Sequence, residues 1–151
     1  MRAFSVAALA VLIVGSLSAA PSKSFAVGGG EQIYPGGVKH FAIAAHNGPN
    51  GPSGHVVFTQ QDPSFGDFTL SGHVTCVAVS GNTATIGVAI EHGTGTAEGQ
   101  SAIYINVVDN GDGGSGAPDH FTNSGYVADA SACYPPFDFV TPITSGNINV
   151  K

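Results

Sequence analysis

The sequence predicts an all-β fold: an antiparallel β-sandwich of about seven or eight strands, with a small β-barrel as the runner-up. Three observations carry this. Only 9% of the chain is charged and 22 residues are glycine, so the Glu, Lys, Leu and Arg that helices favour are scarce, while Val, Ile, Thr and Phe abound. Apolar residues recur at every second position, the strand period, and not at the helical 3.6. Gly, Pro and Asn punctuate the chain at short intervals with no helical crossover between, which leaves sequential hairpins.

Residues 1–26 read as a signal peptide. Arg2 supplies a positive start, and residues 3–14 are apolar except for Ser5; about 12 residues suits a signal core and falls short of the ~20 of a spanning helix. Small-x-small cleavage patterns end at Ala20 and at Ala26. Pro21 would follow the first cut and hinder the peptidase, so the expected cut is after Ala26. Residues 27–37, opening on Gly28-Gly29-Gly30, read as a flexible lead-in, and residues 38–151 as one all-β domain.

Within that domain, Phe41, Ile43 and Ala45 alternate with His40, Ala42 and Ala44, a first strand. Residues 47–54, with Pro49 and Pro52, read as a loop, since proline cannot donate to a ladder. Val56 and Phe58 mark the return strand. The longest strand signal covers residues 68–79, with Phe68, Leu70, Val74, Cys76 and Ala78 on one face and a bulge or bend expected at Gly72. Ser80-Gly81-Asn82 is the hairpin turn into Ala84, Ile86, Val88 and Ile90. Residues 91–99 read as a polar loop. Residues 102–109 are apolar on both sides, as a strand covered on two faces would be. Short strands are expected at 120–127, 137–141 and 147–150.

Removing the signal leaves Lys39 and Lys151 against ten acidic residues, a net charge of −8. That sign repels phosphate backbones and anionic lipid, which excludes nucleic acid as a partner and leaves no membrane anchor after signal removal. The expected location is secreted and extracellular. Two cysteines, Cys76 and Cys133, read as a disulfide in an exported chain.

Three stretches resemble a known group. Val77-Ala78-Val79-Ser80-Gly81-Asn82-Thr83 turns on Gly-Asn, Val107-Val108-Asp109-Asn110-Gly111-Asp112-Gly113 runs into an acidic glycine loop, and Ser145-Gly146-Asn147-Ile148-Asn149-Val150 closes the chain. With one cysteine before the first motif's turn and one before the last, this order resembles uncharacterised secreted bacterial all-β domains. The resemblance implies a disulfide-linked all-β fold and carries no catalytic residue.

The candidate site is Asp109, Asp112 and Asp119 in the 109–119 loop, where several carboxylates could share a calcium ion. The same residues also read as a turn, because Asp-Asn-Gly-Asp-Gly suits left-handed backbone and side-chain-to-backbone bonds. No other cofactor is implied. Six histidines include no H-x-H pair; His55 and His73 could meet only across strands. No G-x-S-x-G elbow supports a hydrolase. Tyr34, Tyr126, Tyr134 and Phe137, near Pro or Gly, could present aromatic surface to a peptide or glycan. The leading expectation is a secreted non-catalytic surface, matrix or recognition module for an extracellular protein or glycan. The alternatives are a small calcium- or ligand-binding protein using the acidic loop, and a secreted hydrolase.

Overall fold

Alternating apolar residues make the strands, and short glycine-bearing turns reverse them. The computed structural model describes residues 23–111, 116–136 and 141–151; residues 1–22, which hold most of the expected signal peptide, lie outside these. Eight strands follow in order: β1 (Ser24–Tyr34), β2 (Gly37–Gly48), β3 (Gly51–Gln61), β4 (Phe68–Ser80), β5 (Thr83–Gly95), β6 (Ala102–Val108), β7 (His120–Val127) and β8 (Ser145–Val150). β1 to β7 form an antiparallel meander, and β8 returns to pair with β1, giving one sheet ordered β7-β6-β5-β4-β3-β2-β1-β8. The all-β antiparallel class is as expected, and the strands share one continuous curled sheet, a half-barrel. The curl is seen in its contents. Phe121 of β7 stacks on Phe41 of β2, five places away in the sheet, with ring centroids 4.1 Å apart, and meets Phe58 of β3 edge-on at 5.3 Å.

The concave face is the core, built by the inner rows Phe41-Ile43-Ala45, Val56-Phe58, Ala84-Ile86-Val88 and Ile103-Ile105-Val107. The open side between β7 and β8 is closed by other means. The 141–144 segment bonds β7 on one side (Phe121 N to Thr141 O, Ile143 N to Asp119 O) and β1 on the other (Thr144 N to Glu31 O). Gln32, 4% exposed, donates its amide to the carbonyls of Phe121, Thr141 and Pro142 at 3.0–3.2 Å.

Several expectations are corrected. Residues 27–34 are not a flexible lead-in but most of β1, and Ser24 to Ala26 begin the same strand, paired with Asn47 to Ala45. The glycine run that reads as a spacer is a contact surface: a Cβ on Gly28 would stand 2.2 Å from Asn147 O, and one on Gly30 would stand 2.3 Å from Ser145 O. Pairing of β2 with β3 runs through to Gly48 and Gly51, so the loop shrinks to Pro49-Asn50. Pro52 is accommodated because β4 pairs with β3 only from His55 to Gln60 and never reaches it. β5 likewise continues through the expected polar loop to Gly95.

The irregularity expected at Gly72 is present, with a register shift between Ser71 and Gly72 that makes Glu91 an extra residue on β5. A second shift, between Val74 and Cys76, was not foreseen. It makes Thr75 an extra residue and flips the parity after it. Val77 therefore joins the core cluster, and Cys76 leaves the inner row to face the outside. There it bonds Cys133, with Cα atoms 5.6 Å apart.

Cys133 belongs to the segment after β7, which folds back as a strap over the outer face of β4, β5 and β6. Thr75 Oγ1 donates to Ala130 O at 2.7 Å, Tyr104 Oη to Ala132 O at 2.8 Å, and Asn106 Nδ2 to Tyr134 Oη at 2.7 Å. This strap is the second cover that makes β6 apolar on both sides. It lies so close that a Cβ on Gly87 would stand 2.0 Å from Ala130 O.

Candidate functional site

Strand direction sorts the turns between two ends of the half-barrel. The β6–β7 loop, holding the sequence-predicted aspartates, lies at the end opposite the β1–β2 turn. Asp109 Oδ1 accepts Gly111 N at 2.9 Å and its Oδ2 accepts Val150 N at 3.0 Å. Asp119 Oδ1 accepts Asn110 N at 2.8 Å and its Oδ2 accepts Ile148 N at 2.6 Å. All four oxygens thus hold backbone amides, two of them on the unpaired edge of β8. Asp112 lies outside the described residues, as does Phe137. Among the described residues, no three His, Cys, Asp or Glu side chains are grouped so as to hold a metal ion.

His55 and His73 do meet across strands, as directly opposed residues of β3 and β4. The bulge brings Glu91 beside them, 3.8 Å from His55 Nδ1 and 3.1 Å from His73 Nδ1. All three lie half exposed on the outer face. His40 stands 3.5 Å from Glu31, and His46 packs near the ring of Phe25.

The concave site is at the other end. A pocket of about 500 Å³ opens there, within the range of small-molecule sites and at a barrel mouth, where such sites often lie. β1 and β2 contribute Tyr34 and Lys39, β3 and its following loop Gln60, Asp62 and Phe65, and β7 the run from Asn123 to Tyr126. Phe68 and Ile103 form apolar wall, and Phe65 stands 78% exposed at the lip.

Lys39 is placed by parity. It continues the row Phe41-Ile43-Ala45 one step beyond the core, so its stem runs inward and its ammonium rests among aromatic faces. Nζ lies 5.2 Å from the Tyr34 ring centroid and 6.0 Å from that of Phe58. It donates to Asn123 Oδ1 at 3.1 Å. Burial lowers its pKa, partly offset by the charge of Asp62. A lowered lysine pKa means the folded state disfavours the charged form, and that cost persists at neutral pH until the pH rises through the lowered value.

Asp62, 2% exposed, organises the lip. Its Oδ1 accepts Ser64 N at 2.8 Å and Phe65 N at 3.1 Å, closing the loop on itself, and its Oδ2 accepts the Tyr34 hydroxyl at 2.8 Å. Burial opposes its ionisation, but the Tyr34 hydroxyl, these amides and Lys39 outweigh that and hold its pKa below the usual carboxylate value. The same contact, with burial as the larger cause, pushes Tyr34 up to about 12. Asp62 therefore contributes stability above the ordinary carboxylate pKa and loses it only as pH falls through its lowered one.

Tyr126 also lines the mouth, as do Gln60, Thr96 and Ser124. Its hydroxyl is buried and has no hydrogen-bond partner among the described residues. Of the mouth residues, sequence reasoning singled out only Tyr34 and Tyr126, and those as exposed aromatics. The signal it passed over was Lys39, a lone cation in phase with an inner row.

Comparison with family models, with curated proteins and with solved structures returned no match.

Proposed function

We propose that the protein is an exported, non-catalytic recognition domain that holds a small molecule in the mouth of its half-barrel. The observation that carries this reading is the mouth itself: a concave, aromatic-walled space whose ammonium and tyrosine hydroxyl have hydrogen-bonding capacity left over. The alternative of calcium binding by the acidic loop loses support, because the four oxygens of Asp109 and Asp119 bind the chain's own amides. Hydrolysis is disfavoured because, among the described residues, the lining of the mouth includes no histidine to serve as base. NMR titration with benzoate, benzamide and benzyl alcohol tests the reading. Amide resonances of Lys39, Asp62, Asn123 and Tyr126 are expected to shift together while those of Asp109 and Val150 stay fixed. Shifts confined to the outer face, or none at millimolar ligand, would overturn it.

Export is supported by the apolar leader and by a disulfide, which persists in oxidising compartments. No helix among the described residues is long and apolar enough to cross a membrane. The pairing of β1 favours the earlier of the two cleavage sites. A cut after Ala26 would remove Phe25, which exchanges two backbone hydrogen bonds with Lys151, and Ala26, a fully buried core residue. A cut after Ala20 keeps β1 whole. N-terminal sequencing of the exported protein is expected to begin at Pro21, and a start at Val27 would refute this.

A further inference from the structure

Two donors of the mouth, the Lys39 ammonium and the Tyr126 hydroxyl, bear on what it would hold. The Lys39 ammonium carries three N–H donors and among the described residues has one hydrogen-bond partner, the neutral amide oxygen of Asn123. No carboxylate among the described residues lies within 4.0 Å of it. Asp62 faces the same space and acts on Lys39 through its charge, while its oxygens accept the Tyr34 hydroxyl and two loop amides and not the ammonium. The Tyr126 hydroxyl is the second such donor: it is buried, on a residue of the lining, and has no hydrogen-bond partner among the described residues. The surfaces around them are rings: Tyr34 under the ammonium, Phe68 packed edge-on against Tyr126 at 6.1 Å, and Phe65 at the lip.

Resting on the reading of the mouth as the recognition site, we propose that its ligand class is a planar organic anion, an aromatic carboxylate or sulfonate. The acid group would accept from Lys39 Nζ and the Tyr126 hydroxyl, and the flat body would lie against the aromatic wall. The chemistry favours this class over a neutral one. An ammonium hydrogen-bonded to a neutral amide oxygen, with the Asp62 charge near it but not in contact, gains from an anionic acceptor, since a charge-assisted bond is roughly twice as strong as a neutral one. Flat apolar bodies match the ring surfaces, which prefer offset or edge-on contact. The pocket of about 500 Å³ admits a molecule of one to three rings and no folded partner.

Two dyes with one carbon skeleton separate the parts of this claim. 8-Anilinonaphthalene-1-sulfonate carries the anion, and N-phenyl-1-naphthylamine is the same body without it. The sulfonate is expected to bind the folded protein at least tenfold more tightly than the neutral dye. Lys39→Met should abolish that difference by weakening the sulfonate far more than the neutral dye, Lys39→Arg should restore much of it, and Tyr126→Phe should weaken the sulfonate several-fold. Removing a disfavoured buried charge gives Lys39→Met no reason to unfold. Phe65→Ala, at an exposed lip position, should weaken both dyes and so report that they sit in the mouth. Equal binding of the two dyes, or an equal effect of Lys39→Met on both, would overturn the anion while leaving the mouth as a site. Binding of neither dye, or binding indifferent to Phe65→Ala, would overturn the mouth reading as well.

Discussion

Replacing Cys76 and Cys133 together by alanine is expected to cost about 4 kcal/mol, the loop-closure entropy for cysteines 57 positions apart. For a domain of this size that is roughly 10–15 °C in melting temperature. The bond does more than shorten the unfolded chain, because it holds the strap on the outer face of β4, β5 and β6. Without it, the bonds of Thr75 to Ala130, Tyr104 to Ala132 and Asn106 to Tyr134 must anchor the strap unaided. The buried pair of Thr85 and Asn106 beneath it would then admit water. Gly87 gives an internal check. Gly87→Ala forces a methyl against Ala130 O and should be severely destabilising in the oxidised protein. In the cysteine-free background the strap can lift, so the same substitution should cost markedly less, and the two changes should be non-additive by 1 kcal/mol or more, within the range of about 0.5–3 kcal/mol for contacting residues. Chemical denaturation of the four proteins measures this. Strict additivity would mean that the strap does not depend on the disulfide.

Asp119→Ala is expected to cost about 3 kcal/mol, because it strips acceptors from two backbone amides at once. Asp119 is 4% exposed, and its Oδ2 lies 2.6 Å from the buried Ile148 N. Asp109→Ala removes the bonds to Gly111 and Val150 at a more exposed position and should cost less. Hydrogen exchange localises the effect: the Ile148 amide should lose protection in the first variant and that of Val150 in the second, while Phe41 and Phe58 keep theirs. Calcium up to submillimolar concentration should leave the melting temperature unchanged, since the carboxylate oxygens are committed to amides. A rise of several degrees with calcium, absent in Asp109→Ala, would restore the calcium reading of the loop.

The contrast between these two sites shows what a linear reading can reach. Strand periodicity exposed the inner rows of β2 to β6, and the Gly81 turn was legible because a two-residue hairpin needs positive φ, which Gly81 adopts at 60°. Pairing of the cysteines followed from their number. Their orientation did not, because the Thr75 bulge inserts one residue and reverses the faces beyond it, and a bulge leaves no sure mark in composition. Gly28-Gly29-Gly30 was misread for a related reason. A flexible spacer and a close approach of two backbones demand the same residue, and only the arrival of β8 tells them apart. The mouth required knowing that β7 curls round to face β2, a contact between Phe41 and Phe121 across 80 positions of sequence. Asp109 and Asp119 were noticed as an acidic loop, but their partners on β8 lie 41 and 29 residues away.

That pairing also bears on what the molecule does among its own copies. A sheet that fails to close strand against strand leaves an outer row of amides on its last strand, a template on which a neighbouring chain can add a strand. On β8 the Ile148 and Val150 amides of that row are occupied by carboxylates of the same molecule. An approaching strand would have to displace two aspartates before forming its first bonds, and would meet their negative charge as it did so. The β8 edge is thus guarded against strand addition without the barrel being complete, and the residues that most resemble a metal site are its guard.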